Sequence, residues 1–391
     1  MLDRIEYIDN DKRKGIAYDW KLIQKTIKKL KLIPSDCYFP KLNQATWNVL
    51  CSDRRAGKTT SWLLVGMIMH ELYGTRVHYL REDIDMIMPK NVNDLFNVIL
   101  ENHYIEKVTD NRWNSIEYKS RRWYYTKVDE NGVILEKDIE PLMFCMSLDN
   151  NVAYKSSYTC TVADLIIFDE FISKRYMRND FIDLCDILST LIRDRLSATI
   201  VMLANTIDIY SEYFDELEIR NVVEKMNIDD FTTVTTRLGT EIYIHIFQRL
   251  ITEDKKKSNR KYFGFDNQRL NSIRGGAWSV DEYQHISFEK CDILASNTYV
   301  RFNNRYLRLE IAKTELGTVV LCYETKTPIE KHSDCIVYTN SDILYPNDRF
   351  RFGHTKYDKL IWSLFDRNRF FYSNNFVGAM LNEYVSVSRK L

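Results

Sequence analysis

Gly57, Lys58 and Thr59, inside the stretch "LCSDRRAGKTT", are the residue types a phosphate cradle needs. Backbone amides at a helix N-terminus face the phosphate oxygens, an ammonium neutralises them, and a hydroxyl holds a divalent cation. The usual pattern G-x-x-x-x-G-K-[ST] begins with a glycine where this chain has Ser52, and Asp53, Arg54, Arg55 and Ala56 fill the loop between. Alone, the tripeptide is too short to be diagnostic. A second pair, Asp169 and Glu170, ends the apolar run "LIIFDEF". An acid at the end of a buried strand can hold the water shell of a magnesium ion, and the next acid can polarise an attacking water. The plainer alternative is two solvated acids at a strand end. Both motifs in this order point to hydrolysis of a nucleoside triphosphate with Mg2+, adenine and guanine both left open, and Thr59 and Thr60 open the helix behind the loop. The second acid directly after the first favours a hydrolytic motor over a kinase or GTPase. Asn205, closing "ATIVMLAN", either senses the γ-phosphate or begins a turn. Arg193 and Arg195 of "LIRDRLS" are either solvated beside a helix C-terminus or reach into a neighbouring subunit's site.

These groups need a scaffold of strands and helices, and the hydrophobic pattern supplies one. A short apolar strand at 46–52 precedes the loop, and an apolar helix, "TTSWLLVGMIMHELYG", follows it and closes at Gly74. Residues 76–82 read as a second strand, "NVNDLFNVIL" as a helix, and "RRWYYTKVDENGVILEK" as a hairpin around Asn131-Gly132. Continuous apolar runs at 163–171 and 198–205 suit strands buried on both faces of a largely parallel sheet. Residues 240–248 alternate like one more strand at a sheet edge, and "DWKLIQKTIKKLKLI", ended by Pro34, reads as an N-terminal helix. A polar, basic connector follows, "ITEDKKKSNRKYFGFDNQRLNSIRGG". A second strand-rich unit then turns at Asn303-Asn304 and Gly317 and closes with a mostly helical stretch. The expected division is an ATPase domain at 1–248, a small helical linker at 249–296 and a C-terminal domain at 297–391.

Composition sets outer limits. The 391 residues are 45% apolar and 28% charged, enough for two or three domains with real cores. The 55 basic and 55 acidic side chains cancel, so a polyanion would have to be met by local basic patches. Eight cysteines without C-x-x-C spacing speak against a zinc ribbon or a disulfide scaffold and fit a reducing cytoplasm. The charged start lacks the apolar stretch of a signal peptide, and "WLLVGMIM" is too short to cross a bilayer, so no membrane association is expected.

Taken together, the motifs resemble those of the genome-packaging ATPases of tailed phages, most of all the small phi-29 type, relatives of the large terminase subunits. The likeness rests on the serine and arginine of the loop, "VHYLRE", "KSRRWYY", "YKSSY", "IIFDEF", the R-x-R of "LIRDRLS" and the Asn of "MLAN". It continues into "NNRYLRLEI", "YTNSDIL" and "RFFYSNNF", spanning nearly the whole chain. The resemblance implies an α/β fold: an N-terminal P-loop ATPase of ASCE type with a mainly parallel sheet, a small helical linker and a C-terminal RNase H-like, vestigial nuclease domain. It implies that Lys58 and Thr59 carry nucleotide and magnesium, Asp169 the metal, Glu170 the lytic water and Asn205 the coupling position. Arg54 would act in cis; Arg193 or Arg195 would act in trans, in a pentameric ring on the portal of an empty capsid. Lys155 of "YKSSY", and Lys90 with a slightly different spacing, match positions expected to face double-stranded DNA. Glu310 of "YLRLEI" stands at what reads as the first strand of the nuclease-like sheet. Asn340 and Asp342 are ambiguous further acid positions, so cutting is expected to be lost. The run 255–261 reads as a solvated linker or as a contact with DNA or a scaffold RNA, and Gln44 as an exposed residue or a contact to the base. The implied setting is the host cytoplasm, transiently on the prohead. An actively cutting terminase, another ring-forming DNA helicase and a nucleotide-gated binding module remain as alternatives.

Overall fold

The structure, a computed structural model, describes residues 18–33, 45–52, 56–150, 163–172, 180–193, 195–205, 211–247, 261, 283–302, 305–326, 335–340, 343–350 and 356–388. The chain divides into two compact units, Met1–Ser279 and Val280–Leu391.

The first unit is built on one sheet. Its described strands are β1 (Trp47–Ser52), β2 (Val77–Arg81), β3 (Ser115–Lys119), β4 (Arg122–Val128), β5 (Ile134–Lys137), β6 (Met143–Ser147), β7 (Leu165–Asp169), β8 (Thr199–Asn205), β9 (Phe231–Thr235) and β10 (Glu241–Phe247). They lie in the order β3-β4-β6-β2-β7-β8-β1-β10-β9, with β5 paired to β4. The six strands from β6 to β10 run parallel. Their cores are buried along nearly their whole length, which is why "LIIFD" and "TIVMLA" are unbroken apolar runs where a one-faced strand would alternate. Placing β8 between β1 and β7 is the strand order of the ASCE class.

Helices cover both faces. Helix α1 (Trp20–Leu30) is capped by Asp19, whose Oδ1 accepts from the amides of Lys21 at 2.9 Å and Leu22 at 3.1 Å. Helix α2 (Lys58–Tyr73) is buried on nearly all sides, as its continuous apolar sequence demands. Both pack with β2, β6 and β7 side chains in one core. Helix α3 (Asp180–Ile192) and the chain at 213–223 build the other core.

Two local elements differ from what the sequence pattern predicts. "NVNDLFNVIL" is not one helix: a helical turn at Pro89–Val92 gives way to a 3-10 turn at Asn93–Phe96 and another helical turn at Asn97–Glu101. Asp94 and Asn97 bond to each other at 3.0 Å, and residues of this type compete with the helix ladder. The strand at 240–248 is not at the edge, because β9 pairs antiparallel outside it and leaves six of its seven residues buried.

The second unit holds β11 (Asp292–Phe302), β12 (Arg305–Thr314), β13 (Gly317–Glu324), β14 (Ile336–Thr339), β15 (Asp348–Phe350) and β16 (Phe370–Tyr372), in the order β15-β14-β11-β12-β13-β16. β11, β12 and β13 form an antiparallel meander, and β14 and β15 add in parallel on the β11 side. That is the strand order of an RNase H-like sheet. Helices α4 (Lys356–Asp366) and α5 (Asn375–Ser388) cover one face through Ile361, Trp362, Val377, Leu381 and Tyr384. β11 begins at Asp292, so the meander starts before residue 297. This moves Glu310 to the second strand, on β12 opposite Leu321 of β13, where Arg308 Nε pairs with its Oε1 at 3.1 Å. On the first strand and its parallel neighbour, the matching positions are Tyr299 with Val337 and Arg301 with Thr339, none of them acidic.

Candidate nucleotide site

Ser52 is the last residue of β1, and its backbone continues the ladder between Phe247 on one side and Asn205 on the other. Extended backbone needs no glycine, so a side chain is tolerated where the usual pattern has the first glycine. That side chain is used: Ser52 Oγ accepts from Lys58 Nζ at 2.7 Å. Gly57 is different. It has φ +85° and caps α2, a conformation that costs an L-residue about 1 kcal/mol or more. Helix α2 therefore starts at Lys58, and Ser61 N–H closes the first turn on Gly57 O at 2.9 Å.

Lys58 is buried, and a buried ammonium requires partners. Besides Ser52 Oγ, its Nζ reaches Ser52 O at 3.4 Å and Asn205 Oδ1 at 3.1 Å. The register explains the meeting, since Asn205 sits beside Ser52 across the β1/β8 ladder. One strand further on, Thr59 Oγ1 donates to Asp169 Oδ2 at 2.9 Å, which links the loop helix to the acid-bearing strand.

Two β2 residues complete the cluster. Tyr79 and Arg81 are two apart in a strand and so share a face. The Tyr79 hydroxyl donates to Asp169 Oδ2 at 2.8 Å; Arg81 Nη1 lies 3.4 Å from the same oxygen and 3.3 Å from the Tyr79 oxygen. Arg81 Nη2 pairs with Glu170 Oε2 at 2.5 Å. Burial, and next the Asp169 charge, push the Tyr79 phenol well above its ordinary range, so it stays a donor. Burial works against the Arg81 charge, but Tyr79, Asp169 and Glu170 outweigh it and hold the guanidinium charged. Glu170 itself sits at φ +57°, just past the strand end.

The structure thus gathers Ser52, Gly57, Lys58, Thr59, Asp169, Glu170 and Asn205 at the C-terminal edge of the parallel strands. Ala56 is buried, and Thr60 continues the first helical turn. The stretch "VHYLRE" carries Tyr79 and Arg81, yet no motif in the sequence marks either as a site residue. Their signal was the i, i+2 spacing at the end of a strand next to the acid strand, legible only once the strand order is known.

Arg193 and Arg195 are not part of this cluster. They lie between α3 and the start of β8, at the opposite end of the sheet. Arg193 is exposed, with φ +50° at the helix end, whereas Arg195 Nη1 pairs at 2.8 Å with buried Asp164, the residue before β7. Lys90 is exposed in the turn Pro89–Val92. Asp53, Arg54, Arg55, Lys155, Gln44 and Asp342 lie outside the described residues, as does the run 255–260.

A hard oxygen set suits magnesium, which is usually held by one or two protein oxygens together with substrate phosphates. Thr59 Oγ1 and Asp169 offer such a set, and among the described residues all three donors to Asp169 fall on Oδ2, leaving Oδ1 for a metal-bound water.

The ASCE strand order and the bonds from loop to acid strand define a P-loop nucleoside-triphosphatase fold joined to an RNase H-like unit. No family profile matches the sequence, and no curated protein matches it by sequence. Solved structures do match. The bacteriophage phi-29 viral genome packaging motor assembly is 16% identical, with 96% of this chain and 100% of that chain covered, at a TM-score of 0.58. The phi-28 gp11 DNA packaging motor is 17% identical, with 89% and 95% covered, at a TM-score of 0.52. The chain has the fold of these packaging motors along nearly its full length.

Proposed function

We propose that this protein is an ATP-driven motor that moves double-stranded viral DNA into a preformed capsid. The observation that carries this reading is the bond between Thr59 and Asp169, which couples a phosphate loop to an acid strand. It occurs in a two-unit chain that shares its fold along nearly its full length with phage packaging motors.

In this reading Lys58 releases Ser52 Oγ and Asn205 Oδ1 to engage the β- and γ-phosphates, and the amides from Gly57 onward cradle them. Thr59 and Asp169 would hold magnesium, which supplies charge neutralisation of the phosphates when bound. Glu170 turns from Arg81 to orient and deprotonate the attacking water. Asn205, bonded to Lys58, links the phosphate end of the site to β8. Arg54 or Arg55 adds charge in cis, and Arg193 or Arg195 does so from a neighbouring subunit, which requires a ring, pentameric as in the resembled family. Lys155 and Lys90 contact the DNA backbone. The partners are double-stranded DNA and the portal of the prohead, with a scaffold RNA as a further candidate, and the setting is the host cytoplasm with transient residence on the prohead. The RNase H-like unit handles DNA without cutting it, a reading supported by Glu310 being paired with Arg308 on the second strand.

The test is phosphate release by the full chain with and without double-stranded DNA, alongside Glu170→Gln. We expect DNA-stimulated turnover that Glu170→Gln abolishes while ATP binding persists. Unchanged turnover in Glu170→Gln sinks the hydrolysis assignment. Manganese-dependent plasmid cutting that disappears in Glu310→Ala sinks the non-cutting one.

A further inference from the structure

Asp169 has two carboxylate oxygens, and the structure treats them unequally. Oδ2 accepts from Thr59 Oγ1 at 2.9 Å, from the Tyr79 hydroxyl at 2.8 Å, and lies 3.4 Å from Arg81 Nη1, whereas Oδ1 has no partner among the described residues. Tyr79 is 1% exposed, and its ring stands edge-on to buried Trp123, with centroids 5.7 Å apart and planes at 82°. A buried ring wedged in this way has little freedom, so its hydroxyl is a fixed donor. Thr59, by contrast, is partly exposed and belongs to the loop helix that must also serve nucleotide.

We propose that Tyr79 is a positioning residue for the metal. By holding Asp169 Oδ2 it fixes the carboxylate's rotation so that Oδ1 faces the position of the metal-bound water. Nothing in the motif pattern assigns a role to this tyrosine, and it does not itself touch nucleotide or metal. The inference rests on the reading of the site as a magnesium–nucleotide site. Without the hydroxyl, Asp169 Oδ2 is left with Thr59, on the helix that also serves nucleotide, and the more distant Arg81, so the carboxylate is less firmly oriented before metal binds. Metal binding must then restrict the carboxylate itself, and the metal dependence weakens while nucleotide contacts made by Lys58 do not.

The experiment is equilibrium binding of a fluorescent ATP analogue to the full chain, titrated with magnesium, for wild type, Tyr79→Phe and Tyr125→Phe. Tyr125 is the control: it is fully buried in the same core and its hydroxyl has no partner among the described residues. One hydrogen bond to a charged group corresponds to roughly a tenfold change in the magnesium needed for half-saturation. We expect that shift in Tyr79→Phe, with metal-free nucleotide affinity unchanged, and no shift in Tyr125→Phe. The proposal is overturned if Tyr79→Phe keeps the wild-type magnesium dependence or if both variants shift alike. Loss of metal-free binding in Tyr79→Phe also overturns it, because the role is then structural. If wild type itself binds the analogue without regard to magnesium, the magnesium–nucleotide reading fails, and this proposal with it.

Discussion

Replacing Arg81 with glutamine should speed basal hydrolysis. In the structure the Glu170 carboxylate is engaged by Arg81 Nη2 at 2.5 Å, and on the role proposed for Glu170 this pair must open before the carboxylate can reach an attacking water. The Glu170 side chain is 49% exposed and that of Arg81 16%, so solvent screens much of the attraction. A pair of that exposure is worth about 1 kcal/mol at most, not the several of a fully buried one. If the whole of that restraint adds to the barrier, its removal raises the rate in the absence of DNA by about fivefold. Of the three donors on Asp169 Oδ2, Arg81 Nη1 is the most distant, at 3.4 Å against 2.9 Å for Thr59 and 2.8 Å for Tyr79, so its loss should change ATP affinity by less than about twofold. The assay is steady-state phosphate release at saturating ATP, with and without DNA, paired with nucleotide binding. A fall in basal rate approaching that of Glu170→Gln would refute the reasoning, for Arg81 would then be holding Glu170 in its working position.

The two arginines before β8 should part company in a stability measurement. Arg195→Ala leaves the buried Asp164 carboxylate without its ion-pair partner and should cost about 3 kcal/mol in urea unfolding; Arg193→Ala, exposed at the helix end, should cost less than about 0.5 kcal/mol. Equal losses would show that the Asp164 pair is not the difference. Mixed-subunit ATPase experiments are therefore cleaner with Arg193. Acid should weaken the first unit through His78, which burial lowers from 6.5 to about 3 while it stacks on Phe144. Between those values the unfolded chain binds a proton that the folded chain does not, so stability present above pH 6.5 is lost as pH falls. At pH 5 the loss from this residue is about 2 kcal/mol. Urea melts at pH 7.5 and 5 should show it, and His78→Leu should shrink the difference by that amount; an undiminished difference in His78→Leu would assign the acid sensitivity elsewhere.

Much of the site was legible because its parts are local. Lys58 and Thr59 follow a glycine whose φ of +85° only that residue adopts cheaply, and Asp169 ends a strand whose unbroken apolar run marks it as buried on both faces. What was not legible depends on register and strand order, which no short window contains. Ser52 looked like a damaged glycine position until its extended pairing with Asn205 and Phe247 showed that no glycine is required there. The alternation of 240–248 marked a strand but not that β9 would cover its outer edge, and "YLRLEI" marked a strand but not its place in the order. Arg193 and Arg195 are near-identical in sequence context, and only the burial of Asp164 separates a structural cation from an exposed one. The same holds for "VHYLRE". In one strand order Tyr79 and Arg81 would be ordinary strand-end residues; because β2 lies against β7, both reach the acid that the loop helix also grips. The chemistry of the site is thus written in two motifs, while its control is written in the neighbour that the sheet gives them.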